Sequence, residues 1–122
     1  MNSVIIGIGS NIHPEENIPL ALKLLAGKVT IEKVSTLVKT KPIGITDQPD
    51  FTNGAVKIAT DLSREELKLF LKLTEDRTGR DRSQPRFGPR TIDLDIVVWN
   101  GEIVDSDYYT HDFLQMAVAE IR

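Results

Sequence analysis

The spacing of hydrophobic and polar positions changes several times along the chain, and each change predicts an element. Val4-Ile5-Ile6 is a short apolar run of β character, closed by Gly7-Ile8-Gly9-Ser10-Asn11. Those glycines suit a tight turn after the strand. From Pro14 to Leu25 the spacing becomes helical, with Ile18, Leu22 and Leu25 four and three apart and Ala21 beside them. Pro14 suits the first turn and Gly27 a stop, while Pro19 marks a second place where the helix can begin. Val29 to Thr40 is rich in Val, Ile and Thr and alternates in part, which predicts one long strand. Lys41 to Asp50 holds Pro42, Gly44 and Pro49 and predicts a loop; residues 51–60 (FTNGAVKIAT) predict a strand antiparallel to the one before. The loop is long for a hairpin, which favours a functional role.

Ser63 opens the clearest helix. Ser63 and Glu66 form a capping-box pattern, Leu62 can staple against Leu67, and Leu67, Phe70 and Leu71 make the core stripe up to Gly79. Residues 79–90 read as a loop, Ile92 to Trp99 as a strand, and Asn100-Gly101 as a turn into a short partner at Glu102 to Val104. Phe113 to Ile121 predicts a closing helix. The order β-α-β-β-α-β with a tail is the split βαβ pattern of an α+β, ferredoxin-like fold: an antiparallel sheet with helices on one face, spanning residues 1–122 as one domain. Such a fold assigns no function by itself.

Composition narrows the chemistry. There is no cysteine, which removes disulfides, thiolate zinc sites and thiol nucleophiles. No apolar run approaches the length of a membrane span, and the N-terminus has no basic-then-apolar leader, so a soluble cytoplasmic domain is expected. The net charge is −3, yet Arg77, Arg80, Arg82, Arg86 and Arg90 crowd residues 77–90 against Asp81 alone. A surface for long nucleic acid would spread more widely. A compact arginine patch suits bidentate grip on a few phosphates; the plainer reading is a solvated loop.

That patch runs into RFGPRTIDLDIVV, residues 86–98. On a strand Ile92, Leu94 and Ile96 face one way and Asp93 and Asp95 the other, roughly 7 Å apart along the backbone. Two carboxylates on one face repel, and a divalent cation removes the conflict. Magnesium takes one or two carboxylates and completes its shell with water and phosphate oxygens. Alternatively, both aspartates pair with Arg90 or Arg86. Gly7-Ile8-Gly9-Ser10-Asn11-Ile12 lacks the third glycine of a dinucleotide loop, and no GxxxxGK[ST] run exists. His13 reads as a surface residue; His111 follows Tyr108-Tyr109-Thr110, and neither supports zinc. Trp99 and Phe70 read as packing, whereas Phe51, beside a proline-rich loop, offers a face for a flat heterocycle.

Arg86-Phe87-Gly88-Pro89-Arg90-Thr91-Ile92-Asp93-Leu94-Asp95-Ile96 resembles the signature of the 6-hydroxymethyl-7,8-dihydropterin pyrophosphokinases of folate biosynthesis. Ile8-Gly9-Ser10-Asn11, Asp47-Gln48-Pro49-Asp50-Phe51 with Asn53, and Gly79-Arg80-x-Arg82 match in the same order. The resemblance implies transfer of pyrophosphate from ATP to the pterin hydroxymethyl oxygen, releasing AMP. It also implies Mg2+ on Asp93 and Asp95, and Arg80 and Arg90 as catalytic arginines. ATP would meet Arg82, Arg90, Ile96, Thr110 and His111, and the pterin Thr40, Ile43, Phe51, Asn53 and Phe113. No nucleic acid or membrane partner is implied. Phe87 departs from a frequent tryptophan and Lys41 from a proline. Tyr108 departs from a basic residue, and the shortened His111–Phe113 segment drops an arginine. Typical members continue beyond Arg122 with a further helix and strand. The losses fall on the nucleotide side, so weakened ATP affinity is expected. A pterin- or nucleotide-binding homologue without turnover is therefore the alternative, and an RNA-binding domain of the same element order is a third reading.

Overall fold

In the computed structural model, residues 1–85 and 87–122 are described, and Arg86 with its place in the signature lies outside them. The elements are β1 (Asn2–Ser10), α1 (Pro14–Ala26), β2 (Thr30–Val34), β3 (Val38–Thr40), β4 (Phe51–Thr60), α2 (Arg64–Arg77), β5 (Asp93–Trp99), β6 (Glu102–Ile103), a 3-10 turn at Ser106–Tyr109, and α3 (Asp112–Ile121). The strands form one antiparallel sheet in the order β2-β4-β1-β5-β6, with β3 also paired to β4. This is the ferredoxin-like α+β arrangement expected from the element order.

Strand alternation sends two sets of side chains to two cores. Val4, Ile6 and Ile8 of β1 and Val56 and Ile58 of β4 pack with Leu94 against Ile18, Ala21 and Leu25 of α1 and Leu67 and Leu71 of α2. Each of these valine, leucine and isoleucine side chains, fully buried, contributes about 1.5–3 kcal/mol. Ile5, Ala55, Val97 and Val98 face the other way, onto Leu114, Ala117, Val118 and Ile121 of α3. The two helices between strands thus share one face as expected, and α3 adds a layer on the opposite face. That layer covers part of the sheet on which an RNA-binding module of this element order would stack its bases, which counts against the RNA reading.

Two local expectations are revised, and the start of the first helix falls at Pro14 as the spacing indicated. Gly7 and Gly9 lie within β1 and do not form a turn after it; β1 runs on to Ser10. The long strand expected over 29–40 breaks at residues 35–37, where the Ala55 amide donates to Ser35 Oγ at 2.8 Å and the Ser35 amide to the Ala55 carbonyl at 2.9 Å. The chain comes so close there that a Cβ on Gly54 would lie 2.6 Å from Leu37 Cδ2 and 2.8 Å from Ser35 Oγ. Helix α1 begins at Pro14 and runs through Pro19. Pro19 and Glu15 are both exposed, so water can reach the carbonyl left without its helical partner.

The capping box of α2 is formed in full: the Glu66 amide donates to Ser63 Oγ at 3.1 Å, and the Ser63 amide to Glu66 Oε1 at 2.9 Å. The bond from the Ser63 amide holds the Glu66 carboxyl below its ordinary range. Replacing Ser63 by alanine should cost about 1 kcal/mol, read in urea denaturation as a lower midpoint with an unchanged slope.

Candidate active site

Asp93 and Asp95 stand on the face of β5 away from α1 and α2, as the alternation required. The register places Gly9 beside Asp93 and Gly7 beside Asp95 on one side, and the same glycines beside Asn53 and Ala55 of β4 on the other. Asp93, Gly9 and Asn53 therefore form a row across three strands. The glycine in the middle has no room for a side chain, because a Cβ there would lie 2.5 Å from Asn53 Oδ1. The Gly-Ile alternation from Ile6 to Gly9 carried this signal: it is a strand period with one face bare.

A cleft of about 480 Å3 opens over this floor. Thr40, Ile43, Phe51 and Asn53 line it from the β3–β4 side, Thr110, His111 and Phe113 from the approach to α3, and Arg90 from the arginine loop. Asn53 Nδ2 donates to Thr40 Oγ1 at 2.6 Å, which orients the amide across the β3–β4 pairing. The rings of His111 and Phe113 are 5.4 Å apart. A second cleft, of about 490 Å3, lies on the α2 side of β5 and is lined by Arg80, Arg82 and Ile96 together with Arg64, Lys68 and Lys72. Asp93, Asp95 and Asp105 line both clefts. Every site residue expected from the sequence thus borders one cleft or the other, and the two clefts meet at the acidic pair.

The electrostatics differ between the two aspartates. Asp93 pairs with Arg80, Oδ1 to Nη1 at 3.3 Å. Asp95 is open to the clefts at its surface but surrounded by protein on its other sides. Desolvation, and then the charges of Asp93, Asp105, Glu75 and Asp107, push its carboxyl up to about 7. Arg90 is buried and spends its guanidinium on its own loop, donating from Nη1 to the Gly88 and Pro89 carbonyls at 3.0 and 3.1 Å and from Nη2 to Pro85 at 3.1 Å. Burial, with Arg80 nearby, lowers its pKa.

Four features were not singled out from the sequence. Glu75 is buried on α2, and burial raises its carboxyl against the opposing pull of the Leu94 amide and Arg80. Arg64, Lys68 and Lys72 fall four apart, a spacing that puts them on one face of α2. Asp105 and Asp107 reach the clefts from a 3-10 turn that the periodicity did not reveal. Asn11, read as part of a turn, is buried and bonded to both loops that frame the first cleft.

A ferredoxin-like domain thus carries two clefts that join at paired carboxylates, one of them rimmed by arginine and lysine. The sequence model of the 7,8-dihydro-6-hydroxymethylpterin-pyrophosphokinase family matches residues 5–122, and the chain belongs to that family. It is 39% identical over 109 residues to the 2-amino-4-hydroxy-6-hydroxymethyldihydropteridine pyrophosphokinase of Bacillus subtilis, covering 87% of this chain and 65% of that protein. The same-named protein of Haemophilus influenzae is 37% identical, covering 90% and 70% respectively. The folate synthesis bifunctional protein of Arabidopsis thaliana is 37% identical over 85% of this chain and 22% of its own length. The chain thus spans about two thirds of the bacterial relatives and about a fifth of the plant protein.

Proposed function

We propose that this chain transfers pyrophosphate from ATP to 6-hydroxymethyl-7,8-dihydropterin, giving AMP and the pterin diphosphate, in the cytoplasmic synthesis of folate. The observation that carries the reading is the meeting of the two clefts at Asp93 and Asp95. Family membership supports the reaction, and the geometry supports a division of labour, except that Arg90, Thr110 and His111, expected on ATP, line the first cleft, so the phosphates would have to reach past the acidic pair to meet them. The first cleft suits the pterin: Asn53 and Thr40 offer donors and acceptors to the ring edge, while Phe51, Phe113 and Ile43 offer apolar surface. The second suits ATP: Ile96 offers an aliphatic face and Arg82, Lys68 and Lys72 offer cations to the phosphates. Tyr108, at a position where relatives often carry a basic residue, packs toward the α3 core. The α2 cations would then take over part of the charge that the segment before α3 lacks.

The residues at the junction fit a magnesium ion. Asp95 sits among the carboxylates of Asp93, Asp105, Glu75 and Asp107, and among the described residues no three His, Cys, Asp or Glu side chains converge into a complete metal cage. A cation that needs only two carboxylates and fills its remaining positions with water and phosphate oxygens matches that donor set. Asp93 and Asp95 would hold it, and when bound it would neutralise charge on the transferred phosphates. The chain's own work is alignment and exclusion of water. The hydroxymethyl oxygen forms a bond to the β-phosphorus, the bond from that phosphorus to the bridging oxygen of the α-phosphate breaks, AMP carries that oxygen away, and the hydroxyl proton leaves. Arg80 and Arg82 face the phosphates as negative charge shifts toward the leaving AMP.

Incubating the folded chain with ATP, Mg2+ and 6-hydroxymethyl-7,8-dihydropterin should release AMP in step with pterin diphosphate. Release of ADP, or no product, overturns the reading. Pterin binding by calorimetry with no AMP would indicate the binding-only homologue instead.

A further inference from the structure

The buried carboxylate of Glu75 lies behind the acidic pair, and the reaction scheme gives it no part. Its Oε2 accepts the Leu94 amide at 2.9 Å and lies 3.0 Å from Arg80 Nη1; its Oε1 lies 3.3 Å from Arg82 Nη2. Leu94 is the residue between Asp93 and Asp95. Its amide points to the outer edge of β5, where β6 pairs only with Val98 and Trp99, so among the described residues no strand supplies an acceptor there. Left unpaired, a buried amide costs as much as a lost hydrogen bond. Glu75 provides the missing acceptor and so fixes the backbone from which both aspartates project.

The same carboxylate organises the cations. Arg80 Nη1 is held jointly by Glu75, by Asp93 at 3.3 Å and by the Ile92 carbonyl at 3.4 Å, while Nη2 makes no hydrogen bond among the described residues. Arg82 is held by Glu75 on one side and by Asp76 at 2.8 Å on the other. Two arginines that would otherwise repel each other are fixed beside one negative charge at the mouth of the second cleft. A flexible guanidinium loses less freedom on meeting an anion when it is already oriented.

We propose that Glu75 is the positioning residue of this site: it sets Arg80 and Arg82 against the nucleotide phosphates and holds Asp93 and Asp95 in register through Leu94. The proposal rests on the transfer reading above. Glu75→Gln separates positioning from bulk charge. The amide oxygen can still accept from Leu94, so the fold should survive, but it meets Arg80 without a negative charge, and the amide N–H groups cannot hold Arg82. Removing a negative charge near the cleft would, by Coulomb attraction alone, strengthen binding of a polyanion. Positioning requires the opposite sign.

The test measures three quantities on the full chain: binding of α,β-methylene ATP with Mg2+, binding of the pterin, and AMP release, with the melting temperature as a check on folding. Glu75→Gln should bind the ATP analogue roughly tenfold more weakly and turn over about 10–100-fold more slowly, with pterin affinity within about twofold. Glu75→Asp, which keeps the charge on a shorter arm, should recover part of both losses relative to Glu75→Ala. Analogue affinity that is unchanged or increased in folded Glu75→Gln overturns the proposal. So does an equal loss of pterin and analogue binding, which marks a purely structural role. If Glu75→Gln does not fold, Glu75→Asp is judged against wild type by the same criteria. If wild type binds the analogue but releases no AMP, the transfer reading fails while the binding contrast still decides the role of Glu75.

Discussion

Replacing Asp95 by alanine is expected to lower AMP formation by about 10^3-fold and to leave pterin affinity within about twofold. The size follows from the several kcal/mol that charge neutralisation contributes to a phosphoryl-transfer transition state, at 1.36 kcal/mol per factor of ten. The selectivity follows from place. The groups that would read the pterin ring, Asn53 and Thr40, are bonded to each other on β4 and β3, and Gly9 separates Asn53 from the β5 carboxylates. Nothing in that contact depends on Asp95, which makes no hydrogen bond or ion pair among the described residues. The variant also loses a repulsion, since Asp95 sits close to the charges of Asp93, Asp105, Glu75 and Asp107. The metal-free protein should therefore melt no lower than wild type. Turnover by single-turnover kinetics, pterin affinity by calorimetry and melting temperature together check the assignment. A comparable loss of pterin affinity would mean that the two clefts are not divided as proposed. A lower melting temperature would mean that Asp95 is a structural residue. Asp93→Ala should behave differently, because it also frees Arg80 from one of its two carboxylate partners.

What was legible in the sequence is what depends on neighbours close in the chain. The capping box at Ser63 and Glu66, the Asn100-Gly101 turn with both residues at positive φ, and the opposite facing of Leu94 and Asp95 are consequences of local spacing, and the structure has them all. The element order also pointed to the sheet topology, through the split βαβ pattern that sets β1 between β4 and β5 although neither follows it directly in the chain. What escaped depends on contacts across the fold. A glycine in a bare strand and a glycine in a turn look alike until the opposing strand is placed, and only then does Asn53 explain Gly9. Glu75 sits in α2 like any charged helical residue, and nothing within four positions shows that its partners are Leu94, Arg80 and Arg82. The pairing of Asp93 followed the same pattern. Arg90 is nearer in sequence and bonds to its own loop carbonyls, while Arg80 meets the carboxylate.

The loops around the first cleft give the second large expected effect: Asn11→Ala should destabilise the chain by roughly 3 kcal/mol and weaken pterin binding with it. Asn11 directly follows β1 and is only 4% exposed. Its Oδ1 accepts the Arg90 amide at 2.8 Å, and its Nδ2 donates to Gln48 Oε1 at 2.8 Å and to the Pro49 carbonyl at 3.0 Å. Gln48 in turn donates from Nε2 to the Ile45 and Phe87 carbonyls, each at 2.7 Å. One amide thereby fastens residues 41–50 and residues 79–90 to the sheet, and Gln48 fastens the two segments to each other. Three side-chain bonds are worth about 0.5–1.5 kcal/mol each, and the stranded Arg90 amide, buried with its residue, adds the penalty of an unmet donor. Asn11→Asp isolates the donor half: it keeps the acceptor for Arg90, loses both donations, and sets a carboxylate against the Pro49 carbonyl. It should therefore fall between wild type and alanine in urea midpoint, yet match alanine in pterin affinity, because the donations are what hold the 41–50 segment that carries Ile43. Urea denaturation and calorimetry on the two variants check this. A loss under about 1 kcal/mol in Asn11→Ala, with pterin affinity intact, would show that the loops are held by contacts other than this amide.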